Sequence, residues 1–369
     1  MTEQPRVATG ASYSAIAQDE HARKAVQKAL AKMPPCTVGS VLLFLTGAYA
    51  YHPQNAIKEA AKAAGTPMVF GCCAISLLTE QEWLLDVEGA VAMVFPQELS
   101  LQPLSILQQQ GVSPELVLTL CTPNAATIAV NSTDLPQLGA ITTDEYGHGP
   151  FSVWQNGRII ENEYCQTAFN GALRPSVIVS ESVKKLSPIM QINRSNEHCL
   201  YEIGLAPACE NLLSNVLHAE PDDLFGLLCA VSEDNTIESI EQGHYKLHHL
   251  ISVDKENQTV RLSGNAKVGK FMFWATRDAS LAQQSMSNRL QAAKLRMDGS
   301  PQFALMFPNI GQGPEFFGGV DKDLLAFQQT FPNTPLIGFY GNGEISPGYK
   351  LAALIRHYST VVSVFSQPS

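Results

Sequence analysis

The two ends of this chain repeat each other. Thr66-Pro67 opens the run TPMVFGCCAIS, and 268 residues later Thr334-Pro335 opens TPLIGFYGNGEIS. In the first copy a helix-like segment (16–33), an apolar strand (38–46) and a second helix (55–64) precede the run, and a strand (90–95) follows it. In the second copy the same order occupies 280–297, 302–307, 322–330 and, after the run, 360–365. VFPQ at 94–97 is answered by VFSQ at 364–367. Chance supplies one such match; an ordered set implies duplication. The two end modules are expected to superpose, each with two helices and parallel or mixed strands.

The middle has another texture. Asn156-Gly157 sits between apolar stretches in 153–159, a strong hairpin signal. Residues 246–253 and 259–262 read as a second hairpin, and 176–180, 188–192 and 270–276 as strands. The expected fold class is α+β: two halves with duplicated strand-helix modules at the chain ends and an antiparallel β-rich middle. The turn-rich stretch 194–198 divides the chain best, giving expected halves 15–195 and 196–365.

Composition narrows the function classes. Hydrophobic residues are 45% and charged residues 16%, which suits a globular interior and excludes a disordered chain. The net charge of −10 argues against nucleic acid and anionic membrane, both of which need a basic face. No apolar run approaches the roughly 18 residues of a membrane span. The first fourteen residues lack the basic-then-apolar order of a signal peptide. No membrane insertion and a cytoplasmic location are therefore expected. Eight cysteines without a C-x-x-C pair read as reduced, buried thiols.

Several motifs compete for chemistry. GNAKVGK at 264–270 has the spacing of a phosphate loop, but Phe271 stands where Ser or Thr should hold magnesium, so a turn is expected. GQGPEFFGG at 311–319 follows a strand but contains Pro314 and two aromatics, which do not fit a dinucleotide loop; a close backbone turn near a ligand or domain interface is expected. His244, His248 and His249 lack a neighbouring Cys or carboxylate cluster. No metal and no cofactor are expected. Cys72 and Cys73 follow a strand, and a nucleophilic thiol would need a base beside it.

FYGNGEISP at 339–347 is the strongest local feature. A strand runs into Gly341, Asn342 and Gly343, which can turn sharply, and Glu344 follows at once. Such a turn at a strand end can hold a small polar ligand. The first copy, Gly71, Cys72 and Cys73 onward, has no carboxylate there, so the site is expected to be asymmetric. The expected ligand set is Gly341, Asn342, Gly343 and Glu344 with Gly47, Gly71, Cys72 and Cys73 from the first copy. Glu344 would meet an ammonium group, glycine N–H groups a carboxylate, and Arg277 could add a cation.

TPLIGFYGNGEISP at 334–347 resembles the C-terminal signature of the FIST family (F-box and intracellular signal transduction proteins). VFGCCAIS at 69–76 is similar to the signature of its N-terminal half, with Cys73-Ala74 replacing the usual small polar or glycine pair. LYEIGLAPA at 200–208 resembles the segment that opens its C-terminal half, and 268–276 a strand before its long helix. The resemblance covers about residues 15–365. It implies a sensory module for small ligands, with amino acids suggested, coupled to a protein signalling partner of unknown identity. Some eukaryotic members join the module to an F-box and recruit proteins for ubiquitination. The length leaves no room for an F-box, kinase or methyl-accepting domain, so a stand-alone sensor module is expected. Two other readings stay open: an enzyme using Glu344 as base or Cys72 or Cys73 as nucleophile, and a protein-interaction scaffold.

Overall fold

The structure is a computed structural model that describes residues 6–144, 146–216, 226–348 and 353–367. It divides into two units, Met1–Glu181 with Gln283–Ser369, and Ser182–Ala282.

The first unit begins with β1 (Ala8–Ser14), α1 (Glu20–Leu30), β2 (Val38–Leu45), α2 (Gln54–Ala64), β3 (Val69–Cys73), the hairpin β4 (Leu77–Thr79) and β5 (Trp83–Leu84), and β6 (Glu88–Pro96). Helix α2 ends at Gly65 with φ 70°, the left-handed turn that glycine takes without a Cβ clash. It returns the chain so that β3 lies parallel to β2. The order is β1-β6-β2-β3, with β6 antiparallel to both neighbours.

The same plan follows at once. β7 (Leu101–Pro103), α3 (Leu104–Gln109), β8 (Val117–Cys121), α4 (Ala126–Val130), β9 (Gln137–Ile141), the hairpin β10 (Val153–Gln155) and β11 (Arg158–Ile159), and β12 (Tyr164–Phe169) give the order β7-β12-β8-β9, with β8 and β9 parallel. A third module starts with β13 (Arg174–Glu181) and is interrupted by the second unit.

That unit contains β14 (Val183–Lys185), β15 (Met190–Asn196), β16 (Cys199–Ile203), β17 (Ala206–Pro207), α5 (Ala208–Asn215), β18 (Leu227–Ser232), α6 (Ile237–Glu241), β19 (Tyr245–Asp254), β20 (Thr259–Leu262) and β21 (Phe271–Arg277). Strands β21, β15, β16, β20, β19 and β18 pair in that order and β18 returns to β21, closing an antiparallel barrel. Ile192, Leu200, Val260, Met272 and Trp274 fill it. The buried Trp274 indole donates to Asn211 Oδ1 at 2.9 Å.

The third module resumes with α7 (Ala279–Arg296), β22 (Pro301–Pro308), α8 (Lys322–Thr330), β23 (Leu336–Phe339), the hairpin β24 (Gly343–Pro347) and β25 (Ala353–Arg356), and β26 (Ser359–Ser366). The order β13-β26-β22-β23, with β22 and β23 parallel, matches the other two. Each module gives its hairpin to another: β4 pairs with β23, β24 with β9, and β10 with β3. The exchange closes a ring of three.

The apolar runs are buried on both faces, as strands covered on two sides must be. Phe44, Phe70, Leu120, Leu138, Phe307 and Phe339 share one central core. Phe44 meets Phe339 edge-on at 4.9 Å. The outer faces are covered by helices, with Val26 and Ile57 over the first module, Leu290 and Phe327 over the third, and Ala126 and Ala129 over the second.

The α+β class and the duplicated end modules are those expected from the sequence. Of the expected antiparallel middle, 188–192, 246–253, 259–262 and 270–276 lie in the inserted barrel, whereas 153–159 (β10–β11) and 176–180 (within β13) belong to the ring. Residues 101–169 form a further module with a parallel pair, and the turn-rich stretch 194–198 is the β15–β16 hairpin inside the barrel.

Candidate functional site

The parallel strands of the three modules end in the same way. The last carbonyl of the first strand accepts from a backbone N–H just past the second: Leu45 from Ala74 at 2.9 Å, Cys121 from Thr142 at 2.8 Å, and Pro308 from Gly341 at 2.8 Å. Three residues before each donor stands a glycine. A Cβ on Gly71, Gly139 or Gly338 would lie 1.7, 1.8 or 1.6 Å from the carbonyl oxygen of Leu43, Thr119 or Met306. Only glycine lets these strands close up.

The three ends are tied to one another. Thr143 Oγ1 accepts from the Ile75 N–H at 3.1 Å and donates to the Tyr340 carbonyl at 3.0 Å. Tyr340 N–H donates to Ser76, Asn342 N–H to Ile141, and Cys73 N–H to Ser152, each at 3.0 Å. A Cβ on Gly47 would lie 3.9 Å from Ile75. Ile75, Thr143 and Tyr340 thus link the ends of β3, β9 and β23 at one junction; Gly47 lies beside Ile75, Gly71, Cys72 and Cys73 close β3, and Gly341 to Glu344 follow Tyr340. Arg277 ends β21 in the barrel unit.

The sequence places Glu344 in a polar turn. In the structure the turn is over by Asn342, and Gly343 and Glu344 open β24. Asn342 remains exposed, whereas Glu344 is wholly buried. The N–H groups of Gly341 and Asn342 already serve Pro308 and Ile141.

Register explains why Glu344 is unusual. It pairs with Ala140, the residue after Gly139. Val153 pairs with Cys72, after Gly71, and Leu77 with Phe339, after Gly338. The three positions are equivalent, and Leu77 and Val153 belong to the central core. Glu344 is a carboxyl where the ring otherwise uses hydrocarbon. Its Oε1 accepts from Asn309 Nδ2 at 2.9 Å and its Oε2 from Ser359 Oγ at 2.8 Å. Burial pushes it up to about 8, against the pull of Ser359 and Asn309. Arg356, opposite it in the β24–β25 ladder, gives its guanidinium to Glu181 at 2.7 Å and to Ser346 at 2.8 Å. In the other modules Thr46 and Thr122 stand at the place of Asn309 and bond Glu88 and Glu163.

A second polar network lies on the outer face of the same strands. Ser359 and Thr360 are successive β26 residues and point to opposite faces. Thr360 Oγ1 donates to Asp323 Oδ2 at 2.6 Å, and Gln312 Nε2 donates to the same oxygen at 2.8 Å. Asp321 caps α8 through the Leu324 N–H and accepts from the Tyr340 hydroxyl. Sequence reasoning passed over Gln312 and Asp323. Asp323 looks like an ordinary first-turn acid, yet it shares a helix face with Ala326 and Phe327, which is where the signal lay.

Cys72 and Cys73 are buried, and desolvation first, then nearby charge, pushes both well above the ordinary range. Among the described residues no three His, Cys, Asp or Glu side chains converge as a metal site. The 264–270 segment is a loop between β20 and β21, with no helix after it. A 420 Å³ cleft beside Gln108, Gly111, Thr133 and Asp134 lies at the N-terminal ends of β8 and β9, away from the junction. No helix among the described residues is long and apolar enough to cross a membrane.

Residues 40–204 match the FIST N domain and residues 210–347 the FIST C domain. The chain belongs to the FIST family. FIST domains are associated with signal transduction. The boundary between the two FIST domains falls inside the barrel unit, just before α5, so the family halves and the packing units partition the chain differently. Uncharacterized proteins of Mycobacterium bovis and Mycobacterium tuberculosis are 23% identical over 232 residues, 61% of this chain and 60% of theirs. The FIST chain thus spans about 60% of the length of the mycobacterial relatives it matches. An F-box only protein 22 of Pongo abelii is 39% identical over 71 residues, 18% of this chain and 16% of its own.

Proposed function

We propose that this FIST protein is a cytoplasmic sensory module that binds a small polar ligand, an amino acid or a similar metabolite, at the junction of its three strand ends, and passes the signal to a protein partner. One observation carries the reading. Glu344 is a fully buried carboxyl at a position that the other two modules fill with Leu77 and Val153. A buried acid costs stability, and the same ring geometry is built without it twice. A group kept at such a cost is a functional candidate. Asn342, two residues before Glu344, is exposed. A ligand ammonium that reaches Glu344 replaces the bond from Asn309 or Ser359, and the carboxyl gives up its proton to pair with it. In this reading 15–195 and 196–365 are the two FIST halves.

An enzyme using Glu344 as general base is the second reading, supported by a carboxyl poised at about 8, close to neutral working pH. Calorimetric titration of an amino-acid panel tests the first. Saturable binding with proton release, seen as a heat that changes with the ionisation enthalpy of the buffer, is the expected result. No binding by any member of the panel refutes it and favours the scaffold or enzyme.

A further inference from the structure

We propose that the buried cluster of Gln312, Asp321, Asp323, Tyr340 and Thr360 binds a hard divalent cation, Mg²⁺ or Ca²⁺, separately from the Glu344 junction.

Asp321 and Asp323 are both fully buried, one residue apart at the start of α8. The groups that act on Asp323 are Asp321, Thr360 and Gln312, and none is a cation. Those that act on Asp321 are Tyr340 and backbone N–H groups. Two carboxyls therefore share a dry space with no ion-pair partner among the described residues, an arrangement that raises its own energy.

The second observation concerns two oxygens. Gln312 Oε1 and Asp323 Oδ1 are buried and have no hydrogen-bond partner among the described residues. Each shares its carbon with an atom of the 2.8 Å Gln312–Asp323 hydrogen bond, since Gln312 Nε2 and Asp323 Oδ2 form it. Both are acceptors, so what satisfies them must be electropositive. Gly313 lies against the Tyr340 ring, where a Cβ would come within 3.3 Å.

The donors decide the kind of ion. Asp323, Gln312, Asp321, Thr360 and Tyr340 offer only oxygen, with no imidazole or thiolate. Oxygen-only sets select Mg²⁺ and Ca²⁺ over zinc or copper. Only two carboxylates take part; the amide and hydroxyl oxygens complete the set. Ser359 faces Glu344 while Thr360 faces Asp323, so one network can be altered without cutting the other.

The test is thermal unfolding of the full chain after dialysis against a chelator, with MgCl₂, CaCl₂ or KCl added at constant ionic strength. One of the two divalent ions is expected to raise Tm saturably by several degrees, and KCl is not. Asp323→Asn should melt above the chelated wild type, because a buried charge is gone, and should lose the response. Gln312→Met, which removes only the orphan oxygen and its amide, should weaken the half-saturating concentration at least tenfold, and it carries the test should Asp323→Asn not fold. A wild type that ignores both divalent ions, an equal rise with KCl, or an undiminished rise in Asp323→Asn or Gln312→Met would each overturn the proposal; the buried pair then shares a proton instead.

Discussion

The third module of the ring differs from the first two where they should be alike. All three have the same strand order, the same glycine at the same step of the parallel pair, and the same exchanged hairpin. The first two seal the central core with Val153 and Leu77. The third presents Glu344 to that side and furnishes Asn309 and Ser359 to hold it. The third module also carries the inserted barrel, between β13 and α7. Shared features are therefore those the ring needs in order to close. The carboxyl is peculiar to the third module, and Asn309 and Ser359 satisfy both of its oxygens.

The largest effect should come from what the modules share. Gly139→Ala or Gly338→Ala forces a methyl within 1.8 or 1.6 Å of a strand carbonyl. Either should cost about 4 kcal/mol or more, or abolish folding, in denaturant titrations. A loss under about 1 kcal/mol would break the claim that the three glycines are equivalent.

Next comes the reverse graft. Leu77→Glu puts an acid at the equivalent position without an Asn309 or Ser359 to receive it, and should cost about 3 kcal/mol or more at pH 8. If that variant were as stable as the wild type, the comparison would lose its energetic basis.

The pH dependence is gentler at any one step, because it is spread over several units. A carboxyl raised in the fold from 4.5 to about 8 holds its proton in the native state after the unfolded chain has lost it. Stability from this group therefore falls as pH rises from about 4.5 to about 8, by up to about 1.4 kcal/mol per unit, and levels off above. Other buried acids titrate too, so the difference between wild type and Glu344→Gln isolates it. Parallel stability curves for the two proteins across that range would contradict the shift. At the small end, Gly47→Ala meets only Ile75 at 3.9 Å and should change stability by no more than about 0.5 kcal/mol.

Much of this was legible in the sequence, and the omissions have physical causes. The end modules were visible because α2 and α8 are long enough for periodicity and each leads to a Thr-Pro before its second strand. The middle module hides because α3 and α4 have only six and five residues, too few to show a helical period. Its glycine, Gly139, is silent in sequence because its role lies in the approach to Thr119 across the ladder. Glu344 stands out in the sequence, but a glycine-rich string reads as a turn, and only pairing with β9 reveals a strand. Gln312 and Asp323 meet through tertiary packing, which no local pattern encodes.

The claim at the centre is that Glu344 is kept for a ligand at the expense of the fold. It is tested most directly by measuring stability and amino-acid affinity together, at pH 8.5, on wild type and Glu344→Gln. Losing a charge-assisted bond costs roughly 1.5–3 kcal/mol, so affinity should fall about tenfold to a hundredfold. The same variant should unfold at a higher denaturant concentration than the wild type. A variant that binds undiminished, or that is less stable than the wild type, would make Glu344 a structural member of the ring and contradict the account.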